Sequence, residues 1–324
     1  MPAIAPSLPP YLTAALDAVM HGQSQSDAAK RAAIISQTYR DGGTSSGIRT
    51  EADALAYAVA RMPATYAAVA ACINALVEIH PNFAPRSLID CGAGPGTATF
   101  AAREAFASLA TFTMLDANAS LRTLARALGD ASRTVPHYPL GDAATGLAAA
   151  PPADLVVASY MINEIPDAHR GALADALWRA AGDMLLVVEP GTPAGYARIL
   201  DLRDRLIGQG AHVVAPCPHD FACPLTPPDW CHFSQRLPRS RAHKHLKGAE
   251  LAFEDEKFSY VVLTRAEIVR PVARVLAKPD VTKVAVTTKL CTDEGTVAID
   301  TAPKRDKAAF NVAKKSDWGD SILR

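Results

Sequence analysis

Ser87-Leu88-Ile89-Asp90-Cys91-Gly92-Ala93-Gly94-Pro95-Gly96-Thr97 decides the fold of this 324-residue chain. Its first three residues form a short apolar run of the kind that makes a buried parallel strand. Asp90 sits at the strand's C-terminal end. Glycines follow at alternate positions, and Thr97-Ala98-Thr99-Phe100-Ala101-Ala102 opens a helix. Glycines there let the backbone turn sharply and let a ligand come close. The helix N-terminus above them offers free amides and a positive dipole end. The order differs from the dinucleotide fingerprint G-x-G-x-x-G, because the acid precedes the glycines. An acid at the strand tip repels a pyrophosphate and suits a cationic ligand.

From Arg86 onward strand and helix alternate, the pattern of a doubly wound α/β sheet. Strands are expected at 111–115, 133–138, 153–159 and 183–188, and helices at 119–128, 167–180 and 193–208. Polar residues recur at the strand tips, where open α/β sheets bind ligands. Asp116 ends the second strand, Gly141-Asp142 follows the third, Tyr160-Met161-Ile162-Asn163-Glu164 the fourth, and Glu189 the fifth. The arrangement resembles the class I S-adenosylmethionine-dependent methyltransferases. The resemblance implies a cofactor site of Asp90, Gly92, Gly94, Gly96, Asp116 and Asp142. Asp116 would accept from the ribose hydroxyls and Asp142 from the adenine amino group. Loop capping is the alternative for Asp116 and Asp142, since single Asp residues suit turns; three acids at three successive tips favour the cofactor.

Four regions are expected: a helical N-terminal cap over 1–84, a Rossmann-like core over 85–210, a Cys/His-rich metal-binding insertion over 211–256, and the last core strands with a β-rich basic tail over 257–324. In the cap, helices are expected at 11–20, 26–40, from Thr50 to just before Met62-Pro63, and from Ala64 to His80. The phrase from Tyr57 to Tyr66, with Arg61 and Thr65, is more polar and aromatic than its surroundings, and helix–helix packing accounts for it. In the tail, a strand is expected at 257–264, another at 281–290 ending at Cys291, and a hairpin pairing 295–301 with 308–313.

The chain is 49% hydrophobic and 20% charged, a globular composition. Its zero net charge hides an asymmetry. Residues 1–210 hold 15 Lys/Arg and 19 Asp/Glu, net −4, whereas 211–324 hold 18 and 14, net +4. The later third is the better face for an anionic partner. No apolar run of membrane-spanning length is read, so no membrane partner is expected. The first basic residue is Lys30, which leaves no charged n-region and no Arg-rich transit peptide. A cytoplasmic protein is expected.

Six cysteines in such a chain point to metal or redox chemistry rather than disulfides. Cys217, Cys223 and Cys231 lie close together in a Pro-, His- and aromatic-rich stretch. A tetrahedral site needs a fourth ligand, from Cys291, His219 or His232. Cys72 and Cys91 read as packed small residues. The spacing matches neither common zinc knuckles nor ferredoxin runs, and thiolates suit zinc or iron–sulfur equally.

The series Cys217-Pro218-His219-Asp220-Phe221-Ala222-Cys223-Pro224, Trp230-Cys231-His232-Phe233-Ser234-Gln235-Arg236 and Glu256-Lys257-Phe258-Ser259-Tyr260-Val261-Val262 is similar to the mitochondrial small-ribosomal-subunit methyltransferase-like family and its bacterial relatives. Arg61-Met62-Pro63-Ala64-Thr65-Tyr66, Lys289-Leu290-Cys291 and Asp317-Trp318-Gly319-Asp320 fit the same resemblance. It implies association with the small ribosomal subunit and its rRNA, as a monomer off the ribosome. It also implies a [4Fe–4S] cluster held by Cys217, Cys223, Cys231 and Cys291, with zinc as the alternative.

A cytosine-C5 enzyme needs a cysteine after the fourth or fifth strand, and neither tip has one. RNA N-methylation is therefore favoured. Asn163-Glu164-Ile165-Pro166 partly matches the motif whose Asn or Asp accepts from the target amine, making Asn163 and Glu164 the catalytic candidates. Asn163 equally suits a helix cap. A non-catalytic assembly factor that grips rRNA through the same fold and cluster is the second expectation.

Overall fold

A computed structural model describes residues 3–132, 137–139, 143–240, 243–244, 246 and 250–323. Its centre is a seven-stranded sheet in the order β2-β1-β3-β4-β7-β5, with β6 also on β7. These strands are β1 (Ser87–Cys91), β2 (Thr111–Leu115), β3 (Ala153–Ser159), β4 (Ala181–Pro190), β5 (His212–Ala215), β6 (Phe233–Pro238) and β7 (Phe253–Thr264). β2, β1, β3 and β4 run parallel. β7 is antiparallel to β4, β5 and β6.

The strands are apolar along their length because both faces are covered. Leu88, Leu155, Val157, Leu186 and Val262 face one side. Ile89, Val156, Leu185, Val187 and Val261 face the other, against α7 (Asp167–Ala180) and α8 (Pro193–Ile207). The crossovers use α4 (Thr97–Ala105), α5 (Ala119–Ser132) and α6 (Ala143–Ala149). The chain leaves β1 toward β2 and returns to β3 on β1's other side. That switch point opens a crevice at the strand tips. The fold is thus the expected α/β, class I methyltransferase-like sheet with a helical N-terminal region. Of the expected third strand, His137 bridges Thr113, while 133–136 and Gly141-Asp142 lie outside the described residues.

The N-terminal region contains α1 (Pro10–Met20), α2 (Gln25–Arg40) and α3 (Glu51–Ile79). Thr50 and Asp53 form a reciprocal capping box that starts α3. Helices 50–61 and 64–80 were expected as two; they are one, with Pro63 inside. The residue before a proline disfavours helix only modestly when the rest is fixed by packing. Here Leu55, Val59 and Met62 are buried among α1 and α2 residues, and Tyr66, Val69, Ile73 and Leu76 against the sheet. Continuous, α3 is also long and apolar enough to cross a membrane by length and composition, correcting the expectation that no such run exists. In this fold those side chains fill the core.

The tail forms a second, antiparallel sheet of β8 (Ala273–Val275), β9 (Asp280–Val281), β10 (Ala285–Thr292), β11 (Val297–Pro303) and β12 (Ser321–Ile322). The expected hairpin is corrected: β11 pairs back on β10, and Lys307–Lys315 is a helix. Asp306 caps that helix by accepting from the Ala309 amide, and Ala- and Lys-rich sequence favours it over a strand.

Candidate functional site

The glycine turn is built by hydrogen bonds from its own strand neighbours. The Gly92 and Ala93 amides donate to the Leu115 carbonyl at 2.8 and 3.0 Å, and the Gly94 amide donates to Asp116 Oδ2 at 2.8 Å. Gly92 has φ +69°, and a Cβ there would stand 2.6 Å from Met161 Cβ, so both conformation and space demand glycine. Gly94 has a positive φ with open space beside it. Gly96 is the N-cap of α4.

Over this turn lies a cavity of about 190 Å³, lined by Gly92, Gly94 and Asp116 on one side and by Tyr39, Ser45 and Tyr57 of the N-terminal region on the other. Asp116 is fixed twice, since Oδ1 also accepts from the Asn118 amide at 2.7 Å. Burial pushes its carboxyl pKa up, partly offset by those amides. Asp90 is fully buried beneath the turn, with Oδ2 accepting from the Thr99 amide and hydroxyl at 3.0 and 2.7 Å. Its Oδ1 has no partner, and burial pushes its pKa up to about 6. Asp90 and Gly96 thus underlie the cavity rather than line it. Asp142 lies outside the described residues.

At the fourth tip the two catalytic candidates part. Glu164 lines the cavity over the glycine turn, but its carboxylate accepts from Tyr39 Oη at 3.0 Å, the Ser45 amide at 2.9 Å and Ser45 Oγ at 2.8 Å. It ties the N-terminal region down over the crevice. Asn163 faces an adjoining chamber of about 890 Å³, and its Oδ1 is buried without a partner. Buried Glu189, at the fifth tip, holds this turn: Oε1 accepts from the Ile162 amide at 3.1 Å, and Oε2 pairs with Arg198 at 2.6 Å.

The sequence reading missed Tyr160. It has φ +56°, the one positive value outside glycine among the described residues, and donates to Glu256 Oε1 at 3.0 Å. Arg61 stands 3.6 Å from the same oxygen. The polar phrase around Arg61 was the available signal; it had been assigned to packing.

Cys217, Cys223, Cys231 and Cys291 all line one cavity between the two sheets. Among the described residues, no three His, Cys, Asp or Glu side chains are grouped to hold a metal ion, so the iron–sulfur expectation draws no support from ligand geometry. His219 Nε2 lies 3.4 Å from Cys291 Sγ. Tyr196 Oη donates to Cys223 Sγ at 3.0 Å. Two buried guanidiniums share the cavity wall. Arg274, 1% exposed, donates to the Pro216 and Gly319 carbonyls, with Nη2 unpartnered. It forms no salt bridge among the described residues. Arg203 pairs with half-exposed Asp204. A buried cation without a carboxylate is costly, and the four thiols share the cavity wall with Arg274. Four thiols beside two guanidiniums have the donor chemistry of a thiolate site but not its ligand geometry.

Among the Lys and Arg residues of 211–256, some are less free than the sequence suggests. Arg236 pairs with Asp255 and Arg239 with Glu254, whereas Arg241 and Lys247 lie outside the described residues.

Residues 51–323 match the family described as mitochondrial small ribosomal subunit Rsm22. The chain is 31% identical over 302 residues to the human mitochondrial ribosome assembly protein METTL17, covering 84% of this chain and 63% of that protein. It is 24% identical over 346 residues to the mitochondrial Rsm22-cox11 tandem protein 2 of Schizosaccharomyces pombe, covering 88% and 45%. The chain thus spans less than two thirds of the curated relatives it matches. Among solved structures it is similar to magnesium protoporphyrin IX methyltransferase of Synechocystis with bound SAH, at 13% identity, 63% and 84% coverage and TM-score 0.41. It is also similar to a ribosomal protein L11 methylase of Lactobacillus delbrueckii, at 11% identity, 62% and 79% coverage and TM-score 0.38. The cytoplasmic expectation is corrected, because the family and these curated relatives are mitochondrial. This chain belongs to the Rsm22 family of the mitochondrial small ribosomal subunit.

Proposed function

We propose that this protein works in small-ribosomal-subunit assembly, binding S-adenosylmethionine at the strand tips and rRNA beside it. The observation that carries the reading is the cavity over Gly92 and Gly94, with Asp116 fixed in its wall. Bound S-adenosylmethionine supplies an electrophilic methyl group on a sulfonium. The chain's own residues bind and orient. The Asp116 carboxylate keeps lone pairs free beyond its two backbone bonds, enough to accept from ribose hydroxyls. Asn163 Oδ1 is an unfilled acceptor that suits an amine N–H of the RNA, the N-methylation geometry. Tyr39, Ser45 and Glu164 hold the N-terminal region at the rim of the crevice.

The cysteines Cys217, Cys223, Cys231 and Cys291 would hold a [4Fe–4S] cluster or a zinc ion, with Arg203 and Arg274 balancing the thiolate charge. Either group would serve as a structural clamp. Iron content and visible absorption of anaerobically purified protein distinguish them: a broad visible band with iron supports the cluster, and stoichiometric zinc with no band replaces it.

A second reading, an assembly factor that binds but does not methylate, is favoured by Glu164. All three of its hydrogen bonds go to the N-terminal region, a structural use. It also agrees with the human relative's description as a ribosome assembly protein. The test is transfer of labelled methyl from S-adenosylmethionine to small-subunit rRNA by wild type and Asn163→Ala. Transfer lost in the variant supports catalysis. Cofactor binding without transfer supports the assembly role alone.

A further inference from the structure

The chamber beside the cofactor cavity has its own chemistry. It shares Tyr39, Tyr57, Thr65 and Tyr160 with that cavity and is several times larger, about 890 against 190 Å³. Four guanidiniums line it, from Arg40, Arg61, Arg198 and Arg239, and no carboxylate is among its described lining residues. Three of the four are braced from behind. Glu189 holds Arg198 at 2.6 Å, Glu254 holds Arg239 at 3.1 Å, and Glu256 stands 3.6 Å from Arg61. Bracing fixes a guanidinium's direction while using only part of its five donors. Arg61 donates no hydrogen bond within the described structure, so its fork is open. Three carboxylates offset three of the four arginines, and no carboxylate is among the chamber's described lining residues. Asn163 adds a buried acceptor with no donor. Three tyrosines add ring surface.

We propose that this chamber takes one nucleotide of an RNA strand, unstacked from its neighbours. The phosphate would lie on the Arg61 fork, reinforced by Arg40 or Arg239, because planar guanidinium matches phosphate bidentately. The base would stack on a tyrosine ring, as single-stranded RNA bases do on aromatic side chains. An exocyclic N–H of the base would fill Asn163 Oδ1. A chamber of this size lies within the range of small-ligand sites and exceeds what one base alone needs. The inference deepens the proposed function by naming the group that enters beside the cofactor. It rests on that reading only for the methyl donor's position, not for nucleotide binding itself.

The experiment titrates the full chain with a fluorescent single-stranded RNA pentamer, then competes it with nucleoside monophosphates and with the same nucleosides lacking phosphate. S-adenosylmethionine affinity is measured in parallel by calorimetry. We expect the pentamer and the monophosphates to bind and nucleosides to compete at least about tenfold more weakly. Arg61→Lys keeps charge and fold but loses the fork. It should weaken pentamer and monophosphate about tenfold, as should Asn163→Ala, both with unchanged cofactor affinity. Arg40, exposed and bonded to Gln37, gives a variant that leaves the core alone, and Arg40→Gln should weaken the same ligands. Arg205→Gln, on a surface pair with Asp175 and outside the chamber's lining, should change neither. Equal binding of nucleoside and monophosphate, or full affinity in all three chamber variants, overturns the site. Monophosphate binding without pentamer binding overturns the RNA strand as its source. Wild-type chain that binds the pentamer through these residues but shows no cofactor affinity sustains the chamber and removes the cofactor reading.

Discussion

Asp90 is a carboxylate buried with one oxygen satisfied and the other bare. Its pKa, pushed up to about 6 by burial, exceeds the unfolded value of about 4. Between those values the folded chain holds a proton that the unfolded chain has released. This residue's contribution therefore falls as pH rises from about 4 to about 6, by roughly 3 kcal/mol, and stays lost above that window. Asp90→Asn should raise the thermal midpoint at pH 7 by several degrees and leave it unchanged near pH 3.5; equal midpoints at pH 7 would refute the buried charge. The same variant should bind S-adenosylmethionine more weakly, since a cationic ligand end above the turn favours the ionised acid. Asp116 predicts differently, because it faces the cavity. Asp116→Ala removes a charged acceptor from the ribose donors and should weaken cofactor binding about ten- to a hundredfold; unchanged affinity by calorimetry would take Asp116 out of the site. Both acids were legible in sequence because each ends a strand that alternation exposes. Glu164's role was not, because its partners Tyr39 and Ser45 lie 125 and 119 residues away, and only the fold brings them to one carboxylate.

Helix α3 is where local rules and packing disagree. Pro63 supplies no amide, so the Val59 carbonyl lacks its donor four residues on, and the ring crowds that turn. The helix continues because both halves are buried against different partners, α1 and α2 before Pro63 and the sheet after it. Pro63→Ala should restore the bond and stabilise the chain by about 1–3 kcal/mol, read as a higher urea midpoint at unchanged slope. A lower midpoint would mean that the sheet and cap are packed onto a proline-shaped helix. Propensity alone could not foresee this outcome, since a proline boundary yields to burial. It should have foreseen the tail helix, where Asp306 and an Ala/Lys run are ordinary helix signals, but the neighbouring β-rich tail drew them into a hairpin. The parallel strands were recovered closely because they are short apolar runs punctuated by polar tips. β5 and β6 were hidden inside the Cys-rich stretch, where composition outweighed their brief alternation.

Across the whole molecule, the four-thiol cavity stands where the two sheets meet. Cys217 follows β5 and Cys231 precedes β6 on the main sheet, while Cys291 belongs to β10 and Arg274 to β8 of the second. Polar contacts already join the sheets there: Lys289 pairs with Asp229, Arg270 with Asp220, and Arg274 donates to the Pro216 carbonyl. Among the described residues those bonds leave Arg274 without a carboxylate beside four thiols. A cluster or zinc ion held there should act as a clamp between sheets, apart from the glycine turn, which lies at the same end of the main sheet but on the far side of β3 and β4. Cys291→Ser should leave a partly loaded, labile site and lower the thermal midpoint; full metal content and wild-type stability would pass the fourth position to His219, 3.4 Å from Cys291. Lys304 and Arg305 follow β11 and Lys307 opens the helix after it, so loosening the second sheet should weaken rRNA binding while sparing the glycine turn. Paired titrations with S-adenosylmethionine and small-subunit rRNA, on loaded and metal-stripped protein, decide this. Metal loss should weaken rRNA binding several-fold and flatten its salt dependence, because fewer counterions are released when fewer cations reach the phosphates. Cofactor affinity should not move. Equal rRNA affinity in both states would end the clamp idea, and a collapse of cofactor binding would mean that the thiol cavity and the strand tips form one coupled site.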